Sequence, residues 1–223
     1  FEEHGDVERA IDHAIACGDV GRTSMLLMRV AVPMLSAGRM TTLNRWFDSL
    51  SWPGARAGRE LAAIRALAAG LSGHGRDEVE RSLRVAEDGP DYGPLANGIS
   101  SIRSVVAMIS ATYLSRGIAD GEQAARLVLE TEPAVSEWRD AGLIPLGQAL
   151  FLAGRGEEAR APLEEARSIP GARRRATSTL ALAYLSLIEL ADGDAERAEG
   201  LARDALALAG KTEFMRTLAP FGP

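Results

Sequence analysis

The chain has 223 residues, a formal net charge of −6 and 46% hydrophobic residues, which is ordinary globular usage and excludes a largely disordered protein. Ala and Leu supply 65 residues and Val and Ile only 20, so the composition favours helices over strands. The negative charge argues against direct nucleic-acid binding, and no apolar run approaches the ~20 residues that span a bilayer.

The N-terminal region carries the single cysteine. Cys17 cannot form an intrachain disulfide, which favours a reducing, cytoplasmic location. We expect a buried structural thiol there, because no histidine or cationic neighbour is evident. The chain opens with Phe1-Glu2-Glu3-His4 and not with Met or a signal peptide, so we interpret it as a piece of a longer protein.

One pattern recurs along the chain: an apolar helix, a turn that contains glycine, and the acidic start of a second helix. Five copies show it clearly and a sixth, at Gly38, is weaker. The turn glycines are Gly5, Gly38, Gly75, Gly117, Gly154 and Gly193. Glycine allows the left-handed conformation that ends a helix, and an acidic residue after it favours the next helix start.

The copies can be aligned on a small or apolar residue just inside the second helix. The aligned residues are Ala10, Leu43, Val79, Ala124, Ala159 and Ala198. Their spacing scatters around the ~34-residue period of tetratricopeptide repeats. A helical hairpin of this kind cannot bury its apolar face alone, whereas stacked hairpins share a continuous core.

The sequence therefore predicts one all-α domain over residues 1–223. We expect a right-handed superhelical solenoid of five to six irregular, tetratricopeptide-like hairpins, with about a dozen helices and no strand. Pro33 lies inside an apolar stretch and should kink or divide its helix.

No pattern indicates an enzyme, a metal site or a cofactor. His4, His13 and His74 lack the spacing of metal ligands. The acidic pairs Glu157-Glu158 and Glu164-Glu165 are expected on solvated helix starts or outer faces, where they would not form an acid/base pair.

Two further motifs have ordinary explanations. Gly210-Lys211-Thr212 resembles the end of a phosphate-binding loop, but Ala205 stands at the first glycine and a helical stripe precedes it in place of a strand. The run Arg173-Arg174-Arg175 follows a Pro-Gly loop. We expect at most salt-sensitive retention of DNA through it, and no specific binding.

Three polar residues are candidate ligand contacts. In tetratricopeptide-like solenoids the first helix of each pair lines the concave surface, where packing does not require polar or aromatic side chains. Tyr113 and Gln148 fall at equivalent positions in the alignment, and Arg103 precedes Tyr113 by about three helical turns. Together they offer a charge, a ring and an amide, so we predict that they contact a small effector or a peptide. Exposed polar helix faces without a ligand are the alternative.

The opening of the chain resembles a known family. Gly5–Asp19 is similar to the repeat G-x-x-x-x-A-I-x-H-A-L-x-A-G-D, which follows the nucleotide-binding module in the MalT-like, large ATP-binding branch of the LuxR family of bacterial transcription regulators. Met25–Leu50 agrees with the next part of that pattern. Phe214–Pro223 resembles the R-P-F-L-D-E-G-P that closes the family's helical region, although its Asp-Glu is absent here.

The resemblance implies a regulatory, effector-sensing and protein-interaction segment without enzymatic activity or cofactor. Its partners would be a small-molecule effector or a regulatory protein or peptide, together with the ATPase and helix-turn-helix domains of the parent chain. Neither of these two domains lies in the present sequence, and self-association is left open. The alternative is a stand-alone tetratricopeptide adaptor that binds peptide segments of partner proteins.

Overall fold

A computed structural model describes residues 6–50, 56–71, 76–114, 116–169 and 174–209. These residues contain eleven helices and no strand, which confirms the all-α prediction for this part of the chain. The helices are α1 (Val7–Ala16), α2 (Val20–Ser36), α3 (Met40–Ser49), α4 (Arg56–Leu71), α5 (Arg76–Glu87), α6 (Ile102–Tyr113), α7 (Ile118–Thr131), α8 (Asp140–Leu152), α9 (Gly156–Ser168), α10 (Arg174–Ala191) and α11 (Ala195–Ala209).

The helices fall into two compact units, Phe1–Ile109 and Ser110–Pro223, whose boundary lies within α6. In the first unit α2 packs on α1, α3 and α4, and α4 packs on α5. Ile11, Leu43 and Trp46 are among its fully buried side chains. The indole N–H of Trp46 donates to Asp12 across 2.7 Å, which satisfies the one polar group of this buried ring.

In the second unit α8 is the central helix, in contact with α7, α9 and α10. Two glycines allow these neighbours to approach closely. A Cβ atom on Gly142 would lie 2.9 Å from Val128 of α7, and one on Gly147 would lie 2.5 Å from Leu163 of α9. Because α8 is enclosed on several sides, its sequence is apolar almost throughout and shows no single apolar stripe.

Four helix pairs are joined by the same short turn. Its glycine has a positive φ between 68° and 87° at Gly18, Gly38, Gly154 and Gly193. In each turn the next residue donates its N–H to the carbonyl five residues earlier, across 2.9 Å. This is the Schellman motif, which satisfies the last carbonyls of a helix. The predicted turns at three of these glycines are confirmed, and Gly18 adds a fourth.

The other predicted turns have different outcomes. At the turn before α7, Leu114 takes the left-handed conformation, with φ of 47°, and Gly117 is the residue that precedes the helix. Gly5 and Gly75 lie outside the described residues.

In each helix that follows a predicted repeat turn, the fourth residue is buried. These residues are Ala10, Leu43, Val79, Gly121, Ala159 and Ala198. The alignment on Ala124 was therefore wrong by one turn, since Ala124 is the seventh residue of α7 and only partly buried. A Cβ atom on Gly121 would lie 2.1 Å from Leu114, so this position takes glycine and gives no apolar signal.

Proline does not divide the helices in which it occurs. α2 continues through Pro33 to Ser36, so of the two expected effects, a kink or a division, the division does not occur. Pro33 lies in the last turn, where the missing N–H removes only one hydrogen bond close to the end of the helix. Pro145 and Pro162 likewise lie inside α8 and α9.

Candidate functional site

The three predicted ligand contacts lie on α6 and α8, each the first helix of a predicted hairpin. Arg103 is exposed in the first turn of α6. Tyr113 is the last residue of α6 and is partly buried, and burial raises the pKa of its phenol, which therefore stays protonated. Gln148 is partly buried on α8, four residues before its end. The unit boundary places Arg103 in the first unit and the other two residues in the second. Their contact with a ligand stays a prediction.

Cys17 differs from its prediction. It is exposed at the C-terminal end of α1, and its Sγ lies 3.5 Å from Nδ1 of His13. The expectation of a buried thiol without a histidine neighbour is therefore wrong. Residues four apart lie one above the other on a helix, so the spacing of His13 and Cys17 in the sequence could have predicted this contact.

The phosphate-loop and acid-pair interpretations agree with the structure. The residues up to Ala209 that would form the loop belong to α11, so a helix occupies the place of the required strand and loop. Gly210 and the residues after it lie outside the described residues, as does Arg173. Glu157, Glu158, Glu164 and Glu165 are all exposed, as predicted.

No metal-binding group appears in the part of the chain that the structure describes. There, no three or more His, Cys, Asp or Glu side chains come together in a way that could hold an ion. His4 and His74 fall outside this part.

A charged cluster that sequence reasoning missed joins three helices of the second unit. Glu189 of α10 has only 6% of its side chain exposed and accepts hydrogen bonds from Arg160 of α9, the shorter at 2.5 Å. Arg197 of α11 lies 3.1 Å from the same carboxylate. The Arg160 hydrogen bonds hold the pKa of Glu189 below its usual value, although burial acts in the opposite direction. The group is therefore an ionised structural carboxylate and no proton donor near neutral pH.

Two arginines that directly follow turn glycines form ion pairs with glutamates about one repeat earlier in the chain. Arg39 comes directly after Gly38 and forms two hydrogen bonds with Glu8, 31 residues earlier. Arg155 comes after Gly154 and bonds Glu122 at 2.9 Å, 33 residues earlier. The hydrogen bond from Arg126, followed by those from Arg155, lowers the pKa of Glu122. Opposite charges spaced by about one repeat were the sequence signal for these pairs.

Arg59 anchors the long connection between α5 and α6 in the first unit. This arginine of α4 is 5% exposed, and its Nε donates to the carbonyl of Ala86 across 2.9 Å. It also donates to the carbonyl of Pro90 and lies 5.6 Å from the ring centroid of Tyr92. The connection, residues 88–101, is thus attached to a helix through the buried cation.

Comparison with known proteins found no matching family model, no similar curated protein and no similar solved structure. Within the described ranges, no helix has the length and apolar character needed to cross a membrane. Support for a function therefore comes from the arrangement of the helices and from the resemblance of the first 50 residues.

Proposed function

We propose that this chain is a helical-repeat regulatory module: the effector-sensing and protein-interaction segment of a MalT-like, LuxR-family transcription regulator. One observation carries the proposal. A helix, a left-handed glycine turn and a second helix with a buried fourth residue recur in both units. Repeated hairpins of this kind are typical of interaction modules, which offer extended binding surfaces.

The finer architecture belongs to the same proposal. We infer a solenoid of tetratricopeptide-like hairpins, because the first helices of consecutive pairs contact each other. Its right-handed twist is the expectation from the repeat pattern. α2 packs on α4 in the first unit, and α8 packs on α10 in the second. Thr177 of α10 donates to Asp140 of α8 across 2.6 Å, and both side chains are buried. Such contacts between successive hairpins are what stacks them into a solenoid.

The regulatory role would follow from two alternative packings of the module. An effector or partner that binds one packing more tightly shifts the population toward it, and the attached domains read that shift. The controlled domains in this proposal are the ATPase and the helix-turn-helix domain of the parent chain.

The hypothesis of a transcription regulator can be tested from the gene, by the sequence on either side of these 223 residues. We expect a Gly-x-x-x-x-Gly-Lys-[Ser/Thr] motif upstream and a helix-turn-helix downstream. A gene in which both are missing would contradict the regulator and support the stand-alone adaptor that binds peptides.

The ligand contacts can be tested separately by substitution. We expect Tyr113→Ala and Gln148→Ala each to weaken binding of the effector by about tenfold or more, since each removes one of a few placed polar groups. Arg103→Ala should act similarly if the effector carries an anionic group. Isothermal titration calorimetry measures the affinity, and Arg203→Ala, an exposed arginine of α11, is the matched control.

Thermal unfolding shows whether each variant is still folded. Folded variants that bind the effector with the affinity of the wild type would show that the ligand contacts are wrong. The helical architecture and the family would be unaffected by that result.

A further inference from the structure

The outer face of α10 is unusual for a helix in contact with water. Among the side chains described for this helix, those that are exposed are all apolar, whereas exposed helix faces normally carry charged or polar residues. Leu180, Leu187 and Leu190 are 39%, 45% and 58% exposed. Together with Ala183 they follow a spacing of three, four and three residues, which places them on one face. We refer to these four residues as the α10 stripe.

The preceding hairpin shows that a helix covers the corresponding face of α8. When the turn glycines Gly154 and Gly193 are aligned, Leu190 corresponds to Phe151. Phe151 is partly buried and meets Tyr184 of α10 edge to face, with ring centroids 6.2 Å apart. The first helix of the following hairpin therefore covers this face of α8, whereas the equivalent position of α10 is exposed.

The neighbouring side of α11 extends this exposed surface. On α9, Arg160 faces the following first helix, because it is bonded to Glu189 of α10. The same alignment of the turns places Glu199 of α11 at the position of Arg160. The side chain of Glu199 is 72% exposed, and Leu206, seven residues further along the same side of α11, is 73% exposed. We call the α10 stripe together with Glu199 and Leu206 the α10–α11 face.

The charge at the position of Glu199 pairs with the turn of the next hairpin on two earlier helices of the second unit. Glu122 is the fifth residue of α7 and accepts a hydrogen bond from Arg155, which follows the next turn glycine, across 2.9 Å. Arg160 is the fifth residue of α9 and donates to Asp192, which directly precedes the next turn glycine. Glu199 is the fifth residue of α11. Its complement at a following turn is therefore a cation.

We propose that the α10–α11 face docks an amphipathic helix of a partner protein, with apolar side chains along one face and an arginine or lysine at its C-terminal end. The partner helix lies on α10 as α10 lies on α8, and its cation meets Glu199. The apolar stripe supplies contact area, and the charge fixes the direction of the helix. The inference rests on the interaction role proposed above and does not require the transcription regulator.

Charge favours a partner protein over a second copy of the chain. A second copy could offer its own α10, but that helix carries Glu189 and Asp192 at its end, and these carboxylates would repel Glu199 in the same arrangement. The first helices α2 and α8 are followed by arginines, but their apolar side chains are packed inside their own units. Leu27 and Leu143, for example, are fully buried.

Two synthetic peptides serve as probes of the full chain. Both span residues 176–193, the sequence of α10 and its turn, because α10 covers the equivalent face of the preceding hairpin. The acidic peptide keeps Glu189 and Asp192, and the basic peptide carries Glu189→Arg and Asp192→Arg. We expect the basic peptide to bind at least about threefold more tightly in fluorescence anisotropy, since Glu199 attracts one peptide and repels the other.

Substitutions in the chain locate the binding. Leu187→Asp should weaken binding of the basic peptide by about tenfold or more, because it places a charge in the apolar contact. Leu152→Asp, which changes a similarly exposed leucine at the end of α8, is the matched control and should leave the affinity unchanged. Glu199→Arg should reverse the preference, so that the acidic peptide binds more tightly. All three side chains are exposed, and thermal unfolding checks that the variants remain folded.

Three outcomes would overturn the proposal. The first is no binding of the basic peptide to the wild-type chain, and the second is an unchanged preference with Glu199→Arg. The third is a dimer of the wild-type chain that Leu187→Asp dissociates in analytical ultracentrifugation, which would assign the face to a second copy. None of these results bears on the effector contacts or on the flanking gene sequence, so failure of the docking site is distinguishable from failure of the regulatory role.

Discussion

At the level of single residues, two helical glycines differ in the space around them. A Cβ atom on Gly147 would lie 2.5 Å from two carbons of Leu163, whose own side chain is fully buried. Gly147→Ala should therefore lower the free energy of unfolding by about 1–3 kcal/mol, the range for an overpacked core. Urea denaturation monitored by circular dichroism measures the change.

Gly200 is the matched control for this substitution. It lies inside α11, and a Cβ atom there would meet no atom within 4 Å. Gly200→Ala should raise the free energy of unfolding by about 0.5–1 kcal/mol, since alanine is the better helix former. Equal losses in the two variants would show that close packing around Gly147 is not the cause.

Glu189 should make stability depend on pH in the acid range. Its pKa in the folded chain is lowered by Arg160, so the carboxylate stabilises the fold fully above its ordinary value of 4.5. The stabilisation is lost as the pH falls through the lowered folded-state pKa. The difference in melting temperature between the wild type and Glu189→Gln should thus be largest near neutral pH and shrink as the pH falls below 4.5. Calorimetry at several pH values checks this.

The control for Glu189 is Glu130→Gln, which changes an exposed carboxylate of α7. Its melting temperature should follow that of the wild type across the same pH range. A difference for Glu189→Gln that stays constant with pH would contradict the ionic role and indicate a loss of packing.

At the level of elements, the turn between α8 and α9 depends on backbone conformation alone. Gly154 has a φ of 76°, and a Cβ atom there would meet nothing within 4 Å. Gly154→Ala should cost about 1–2 kcal/mol, the penalty for an L-residue with left-handed geometry, and Gly154→Asn should cost less. Chemical denaturation compares the two variants. If asparagine proves as costly as alanine, the left-handed conformation is not what the turn requires.

The turn glycines and the helices that they join show how much of the repeat pattern was predictable from the sequence. The turns at Gly38, Gly154 and Gly193 were predictable because a left-handed helix end has a strong preference for glycine. The position of the repeat in α7 was not predictable, because Gly121 has no side chain and therefore gives no apolar signal in the sequence. Its lack of a side chain makes sense only beside Leu114, which the fold brings next to it.

At the level of the whole molecule, the eleven helices of the described residues predict a far-ultraviolet circular dichroism spectrum dominated by helix. A spectrum of the 223-residue chain dominated by strand would contradict the helical class.

The amino-acid sequence alone predicts the helical class, three of the described turns and the exposure of the acidic pairs, because helix propensity, glycine conformation and solvation act over a few residues. It also named Arg103, Tyr113 and Gln148, whose role stays a prediction. The tertiary structure was needed to show that Arg160 and Arg197 meet Glu189, and that the exposed face of α10 is apolar. Those facts depend on which helices pack together, and local patterning does not specify that.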